Sequence, residues 1–171
     1  MNKAFVAVLI GSESDLPNMQ ATLDVLDRFA IARELRILSA HRTPEATHAF
    51  VRDAETRGCA VFIAAAGLAA HLAGTVAGLS VKPVIGVPMD TGPLHGMDAL
   101  LSTVQMPGGI PVACMSIGKA GAKNAGYLAV QILAVADPGL RDLLRQERED
   151  NARGIEDKNA ALQKHQEKRG G

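Results

Sequence analysis

Seven apolar residues in unbroken succession, Ala4–Ile10 (AFVAVLI), end at Gly11. The run has strand length and does not alternate with polar residues, so it reads as a strand buried on both faces, the condition of an inner strand in a parallel sheet. Such a strand needs helices above and below it, and the chain supplies them. Met19, Leu23, Leu26 and Phe29 recur at helical spacing after Pro17, which suits a first helical turn. A weaker strand follows at Arg33–Leu38, and further apolar runs stand at Cys59–Ala66 (CAVFIAAA), Val84–Val87 and Pro111–Ile117 (PVACMSI). Strand alternating with helix over about five repeats predicts a doubly wound α/β fold around one parallel sheet.

Thr43-Pro44-Glu45 has the order of an N-cap, a proline at the first helical position and an acid in the first turn, and Gly58 stops the helix that begins there. A long apolar helix is expected from Ala120 to about Val135, with Asp137-Pro138 breaking it and opening another. From Arg141 to Arg169 the composition changes, since this stretch holds eight basic and seven acidic residues among the 36 charged ones of the whole chain. Balanced signs with a thin stripe of Leu140, Leu143, Leu144, Ile155 and Leu162 describe a solvated helix that leans on a neighbour. The expected organisation is therefore a domain over 1–137 and a charged helical extension over 138–171 that packs on neighbouring subunits. The charge-poor body has more apolar surface than one small domain hides, which points to self-association.

Basic and acidic residues number 18 each, so the chain lacks the broad basic face of a nucleic-acid binder. Cys59 and Cys114, inside apolar runs, read as small buried hydrophobes. No apolar stretch reaches membrane-spanning length, and the first run is too short for a signal peptide, so a cytoplasmic protein without membrane partners is expected. His41, His48, His71 and His95 do not fall at zinc spacings, and no metal is predicted.

In a parallel α/β sheet ligands bind beyond the carboxyl ends of the strands. Gly11-Ser12-Glu13-Ser14-Asp15 follows the first strand. Its serines can donate to phosphate at a helix N-terminus and Asp15 can accept from ribose hydroxyls, while Ser14 or Asp15 can equally serve as a helix cap. Ser39-Ala40-His41-Arg42-Thr43-Pro44 follows the second strand and pairs a proton carrier with a guanidinium fork suited to an anion. After the third strand, Ala66 and Gly67 let backbone approach a ligand closely, and His71 reads either as a polar group over the pocket or as a satisfied core residue. His48 and His165 read as solvent-exposed, His95 lies in a turn able to border the site, and Gln105–Val112 is a stiff proline–glycine loop of the kind that walls a pocket. A phosphoacceptor module is disfavoured because Ala64-Ala65-Ala66 stands where its aspartate belongs, and a flavin carrier because aromatics are scarce.

Taken together, GSESD (11–15), SAHRTP (39–44), AGLAAHLAG (66–74), PVIGVP (83–88), DALLSTVQMPGGIPVA (98–113) and GKAGAKNAG (118–126) resemble the PurE family of purine biosynthesis, in the family's order over about residues 5–135. The resemblance implies a flavodoxin-like three-layer α/β/α sandwich, a homo-octamer, and no cofactor. It implies a mutase that converts N5-carboxyaminoimidazole ribonucleotide to 4-carboxy-5-aminoimidazole ribonucleotide (CAIR), through aminoimidazole ribonucleotide (AIR) and a bound CO2. The related branch that carboxylates AIR directly with CO2 is the alternative. By the same resemblance His41 is the general acid and base. Arg42 and Ser12 contact phosphate, with Ser14 beside them, and Asp15 contacts ribose. Ser39 and His71 lie near the migrating carboxylate, where Ala66 and Gly67 give backbone donors and room for CO2, and Leu72 also binds substrate. The family usually reads HLPG where this chain has His71-Leu72-Ala73-Gly74, and Met89–His95 is less typical of it.

Overall fold

A computed structural model describes residues 4–167, which divide into one unit running to Leu133 and a second from Ala134 onward. The first unit is built on five parallel strands: β1 (Phe5–Ile10), β2 (Ala32–Ile37), β3 (Cys59–Ala66), β4 (Val84–Pro88) and β5 (Ala113–Cys114), in the spatial order β2-β1-β3-β4-β5. Helices α1 (Leu16–Arg28), α2 (Pro44–Thr56), α3 (Leu72–Leu79), α4 (Met97–Val104) and α5 (Gly118–Ala134) connect or follow them. This is the flavodoxin-like arrangement, with strand order reversing at β1 and β3.

Every residue of β1 is buried, as its unbroken apolar run requires. Phe5, Ala7 and Leu9 join Val51 and Ala54 of α2, and Leu72, Val76 and Ala77 of α3, in one core cluster. The alternate residues Val6, Val8 and Ile10 are likewise fully buried and by the period of two point to the opposite face. On that face α1 and α5 are tied together where the buried Thr22 hydroxyl donates to the carbonyl of Ala122 at 2.6 Å. Gly126 permits the contact, because a Cβ there would stand 2.9 Å from Val25 Cβ. Met19, Leu23, Leu26 and Phe29 are all buried, as their spacing predicts.

The edge strand β2 is polar, and Arg33 and Glu34 bind outward partners rather than another strand. Arg33 makes two 2.7 Å bonds to Asp27, and Glu34 pairs with Arg57 at 2.7 Å. Charged side chains of this kind discourage edge-to-edge association.

Two sequence expectations need correction. The strand expected over Pro111–Ile117 is only Ala113–Cys114, paired to Ile85 and Gly86. Pro111 has no N–H for a ladder, and after Met115 donates to the Gly86 carbonyl the chain turns so sharply that only a glycine at 121 fits against the Ser116 carbonyl. Thr43 occupies the N-cap of α2, yet its hydroxyl does not cap the helix. It accepts from the Ser39 N–H at 2.9 Å and donates back to the Ser39 carbonyl, bracing the loop before the helix.

The second unit holds α6 (Pro138–Glu167), opened by Asp137, whose side chain accepts from the backbone of Gly139 and Leu140. Among the described residues no helix is long and apolar enough to cross a membrane.

Candidate active site

The carboxyl ends of β1, β2, β3 and β4 surround a cavity of about 480 Å³. Every residue singled out from the sequence as catalytic or substrate-binding lines it: Ser12, Ser14 and Asp15 after β1, Ser39, His41 and Arg42 after β2, and Ala66, Gly67, His71 and Leu72 after β3.

The first wall is held by a reciprocal cap. Ser12 Oγ accepts from the Ser14 N–H while the Asp15 carboxylate accepts from the Ser12 N–H at 3.2 Å. The capping role is thus real, and it coexists with a place on the cavity wall. Asp15 is only 3% exposed. Burial pushes its carboxyl above the usual range, opposed in part by the Ser12 N–H and by the charge of Arg42.

The second wall is stiff because it bonds to itself. Ser39 Oγ accepts from the Arg42 N–H at 3.1 Å and the Ser39 carbonyl accepts from the Thr43 N–H at 2.9 Å. That turn leaves the side chains of residues 41 and 42 exposed toward the cavity. Arg42 reaches across the end of β1 and donates from Nη2 to the Gly11 carbonyl at 3.0 Å. His41 reaches further: its Nε2 lies 2.7 Å from Nδ1 of His71, with the rings edge-on at 82°. One of the two nitrogens must donate and the other accept, so the contact itself carries a single, shareable proton.

The third wall settles His71, which is exposed and sits at the N-cap of α3. The residues before it turn through a left-handed Leu68, φ +55°. Ala73 is the second residue of α3 and is buried. Its N–H precedes the first bond within the helix, from the Thr75 N–H to the His71 carbonyl, so α3 forms without the proline usual in the family.

Other candidates lie elsewhere. His48, His95 and His165 are exposed and line no part of the cavity. The stiff loop before β5 walls a different groove, where Gly109, Ile110 and Pro111 face Val81 and Lys82. From the segment after β4 it is Thr91, unmarked in the sequence reading, that reaches the cavity. The signal was available in its position just beyond the carboxyl end of a strand. Cys59 is buried and its thiol is pushed up to about 11 by desolvation, whereas Cys114 is only half-buried. Among the described residues no group of three or more His, Cys, Asp or Glu is placed to hold a metal ion.

N5-carboxyaminoimidazole ribonucleotide mutases of Synechocystis and Pyrococcus horikoshii are 50% and 47% identical, over 93% and 94% of this chain and 89% and 90% of theirs. The Bacillus subtilis protein of the same name is 48% identical over 88% of this chain and 93% of its own. The crystal structure of Treponema denticola PurE superposes with a TM-score of 0.84 at 29% identity, covering 94% of this chain and 99% of that one. The sequence profile described as AIR carboxylase matches residues 5–154, and the chain belongs to that family.

Proposed function

We propose that this cavity carries out the mutase reaction, moving a carboxylate from N5 of N5-carboxyaminoimidazole ribonucleotide to C4 to give CAIR. The observation that carries the reading is the meeting of His41 and His71 at 2.7 Å in the same cavity as the anchored guanidinium of Arg42. Relatives of about half identity that bear the mutase name support it.

The phosphate lies against Arg42, Ser12 and Ser14, near the helix N-terminus, and the ribose against Asp15. The ring then reaches His41. As the N5–carboxylate bond breaks, its electron pair returns to nitrogen, His41 delivers a proton there, and CO2 leaves. C4 attacks the CO2 held near Ser39, Ala66, Gly67, His71 and Leu72, and His41 removes the proton that C4 carried. His41 thus ends as it began, and His71 is placed to steady its protonated and unprotonated forms by the shared contact. Positioned proton transfer of this kind contributes about 10²–10⁴-fold.

The proposal includes an oligomer, an octamer by the family resemblance, with the segment from 138 onward reaching neighbouring subunits. Apolar side chains support it: Met97, Leu101 and Val104 stand exposed along α4, and Leu143, Ile155 and Leu162 along α6. A cytoplasmic place of action goes with a phosphorylated substrate and no cofactor.

His41→Asn tests the chemistry. Turnover should fall by at least 10²-fold while AIR still binds. Retained turnover removes His41 from the proton-transfer role. Activity with AIR and high bicarbonate alone, and none with N5-carboxyaminoimidazole ribonucleotide, replaces the mutase by the direct carboxylase.

A further inference from the structure

We infer that Thr91 is a substrate-contacting residue, its hydroxyl donating to the carboxylate that the reaction moves. The inference rests on the proposal above, which puts that carboxylate beside Gly67.

Thr91 follows β4 and forms the fourth wall of the cavity. Its hydroxyl lies directly over Gly67: a Cβ at that glycine would overlap Thr91 Oγ1 and stand 3.2 Å from Thr91 Cβ. The absence of a side chain at 67 is therefore what admits the hydroxyl to this spot. The segment carrying Thr91 is fixed on both sides. Before it, the Met89 N–H donates to the Ala66 carbonyl at 2.9 Å, and Asn18 Nδ2 donates to Asp90 at 3.0 Å. After it, left-handed Gly92 packs so closely on Leu68 that a Cβ there would strike the leucine. Yet among the described residues Thr91 Oγ1 has no hydrogen-bond partner. A hydroxyl that rests on Gly67 at the cavity wall, carried by a segment fixed this firmly, fits a ligand group.

The chemistry of the position suits the reaction. The migrating group is anionic on N5, neutral as CO2, and anionic again on C4. A cation here would hold the first anion too tightly to release it. A neutral donor favours both anions modestly and lets CO2 form.

The experiment compares Thr91→Val, which keeps the shape, and Thr91→Ser, which keeps the hydroxyl, by calorimetric titration with two ligands differing by the carboxylate alone. Thr91→Val should bind CAIR about ten-fold more weakly than the parent and AIR equally well, with Thr91→Ser within about two-fold for both. Unchanged CAIR affinity in Thr91→Val overturns the inference. So does an equal loss for both ligands, which marks a merely structural role, or a Thr91→Ser protein as impaired as Thr91→Val. Failure of the mutase reading is separate, because it shows in the parent protein as no interconversion of N5-carboxyaminoimidazole ribonucleotide and CAIR.

Discussion

Removal of Arg42 is the sharpest test of how the cavity orients its ligand. A guanidinium carries five N–H donors, and one of Arg42's is already given to the Gly11 carbonyl at 3.0 Å. That bond fixes the fork and leaves donors for two bonds to a phosphate. Hydrogen bonds to charged groups contribute about 1.5–3 kcal/mol each, and the lower figure applies because Arg42 is exposed and screened by water. Two such bonds give about 3 kcal/mol, so Arg42→Ala should weaken AIR binding about 10²-fold. Arg42→Lys keeps the charge but loses the fork and the anchor to Gly11, and should recover roughly half of that free energy. Phosphate does not change during the reaction, so turnover at saturating substrate should be nearly unaffected in either variant. Calorimetric titration with AIR at two salt concentrations, with saturation kinetics beside it, reads all of this. An Arg42→Ala affinity within about two-fold of the parent refutes the phosphate contact. Unchanged affinity with depressed turnover moves Arg42 from the phosphate to the ring.

Two further outcomes follow from the geometry. Burial raises the folded-state pKa of Asp15 above its value in the unfolded chain, so the folded protein holds that proton more tightly. The resulting stability is present below the unfolded value and is lost as pH rises through the raised folded one. Asp15→Asn keeps an acceptor for the Ser12 N–H without the buried charge, so its melting temperature should gain on the parent's as pH rises from about 4 to 7, by about 2–4 °C per kcal/mol. A pH-independent difference shows that burial does not dominate Asp15. On α4, Met97, Leu101 and Val104 are 51%, 51% and 47% exposed. If the proposed oligomer uses this face, Leu101→Glu should shift sedimentation toward smaller species with the fold intact, and an unchanged coefficient removes the face from the proposed assembly.

What could be read from the sequence follows from how locally each feature is determined. Cys59–Ala66 is both the expected and the observed third strand, because a continuous apolar run needs no information from elsewhere to declare itself buried. Pro44 and Gly58 fix the two ends of α2 by backbone geometry alone, the glycine with φ +97°. The length of β5 was hidden, since it depends on where the chain turns away after Met115 to pack Ser116 against Gly121. The hydroxyl of Thr43 was misread because a capping threonine and one that braces the preceding turn have the same sequence signature.

The site itself was legible as segments and illegible as contacts, and the sheet explains both. Loops at the carboxyl ends of strands are identifiable from the alternation of strand and helix, so all ten named residues could be placed around one cavity. Their mutual distances depend on strand order. His41 and His71 stand 30 positions apart in sequence, after β2 and β3, which are not neighbours in the sheet. They meet because β1 lies between those strands and is followed at once by Gly11, over which the flanking loops close: Arg42 bonds to the Gly11 carbonyl, and His41, the residue before it, is carried over to the imidazole on the far side. The same closeness of backbones lets Thr91 approach Gly67 from β4. Small residues at 11, 66 and 67 therefore serve the proposed chemistry without touching a proton. They set how near the strand-end loops come, and in the proposed reaction that separation decides whether His41 and Arg42 from one loop, His71 from a second and Thr91 from a third act on one ligand.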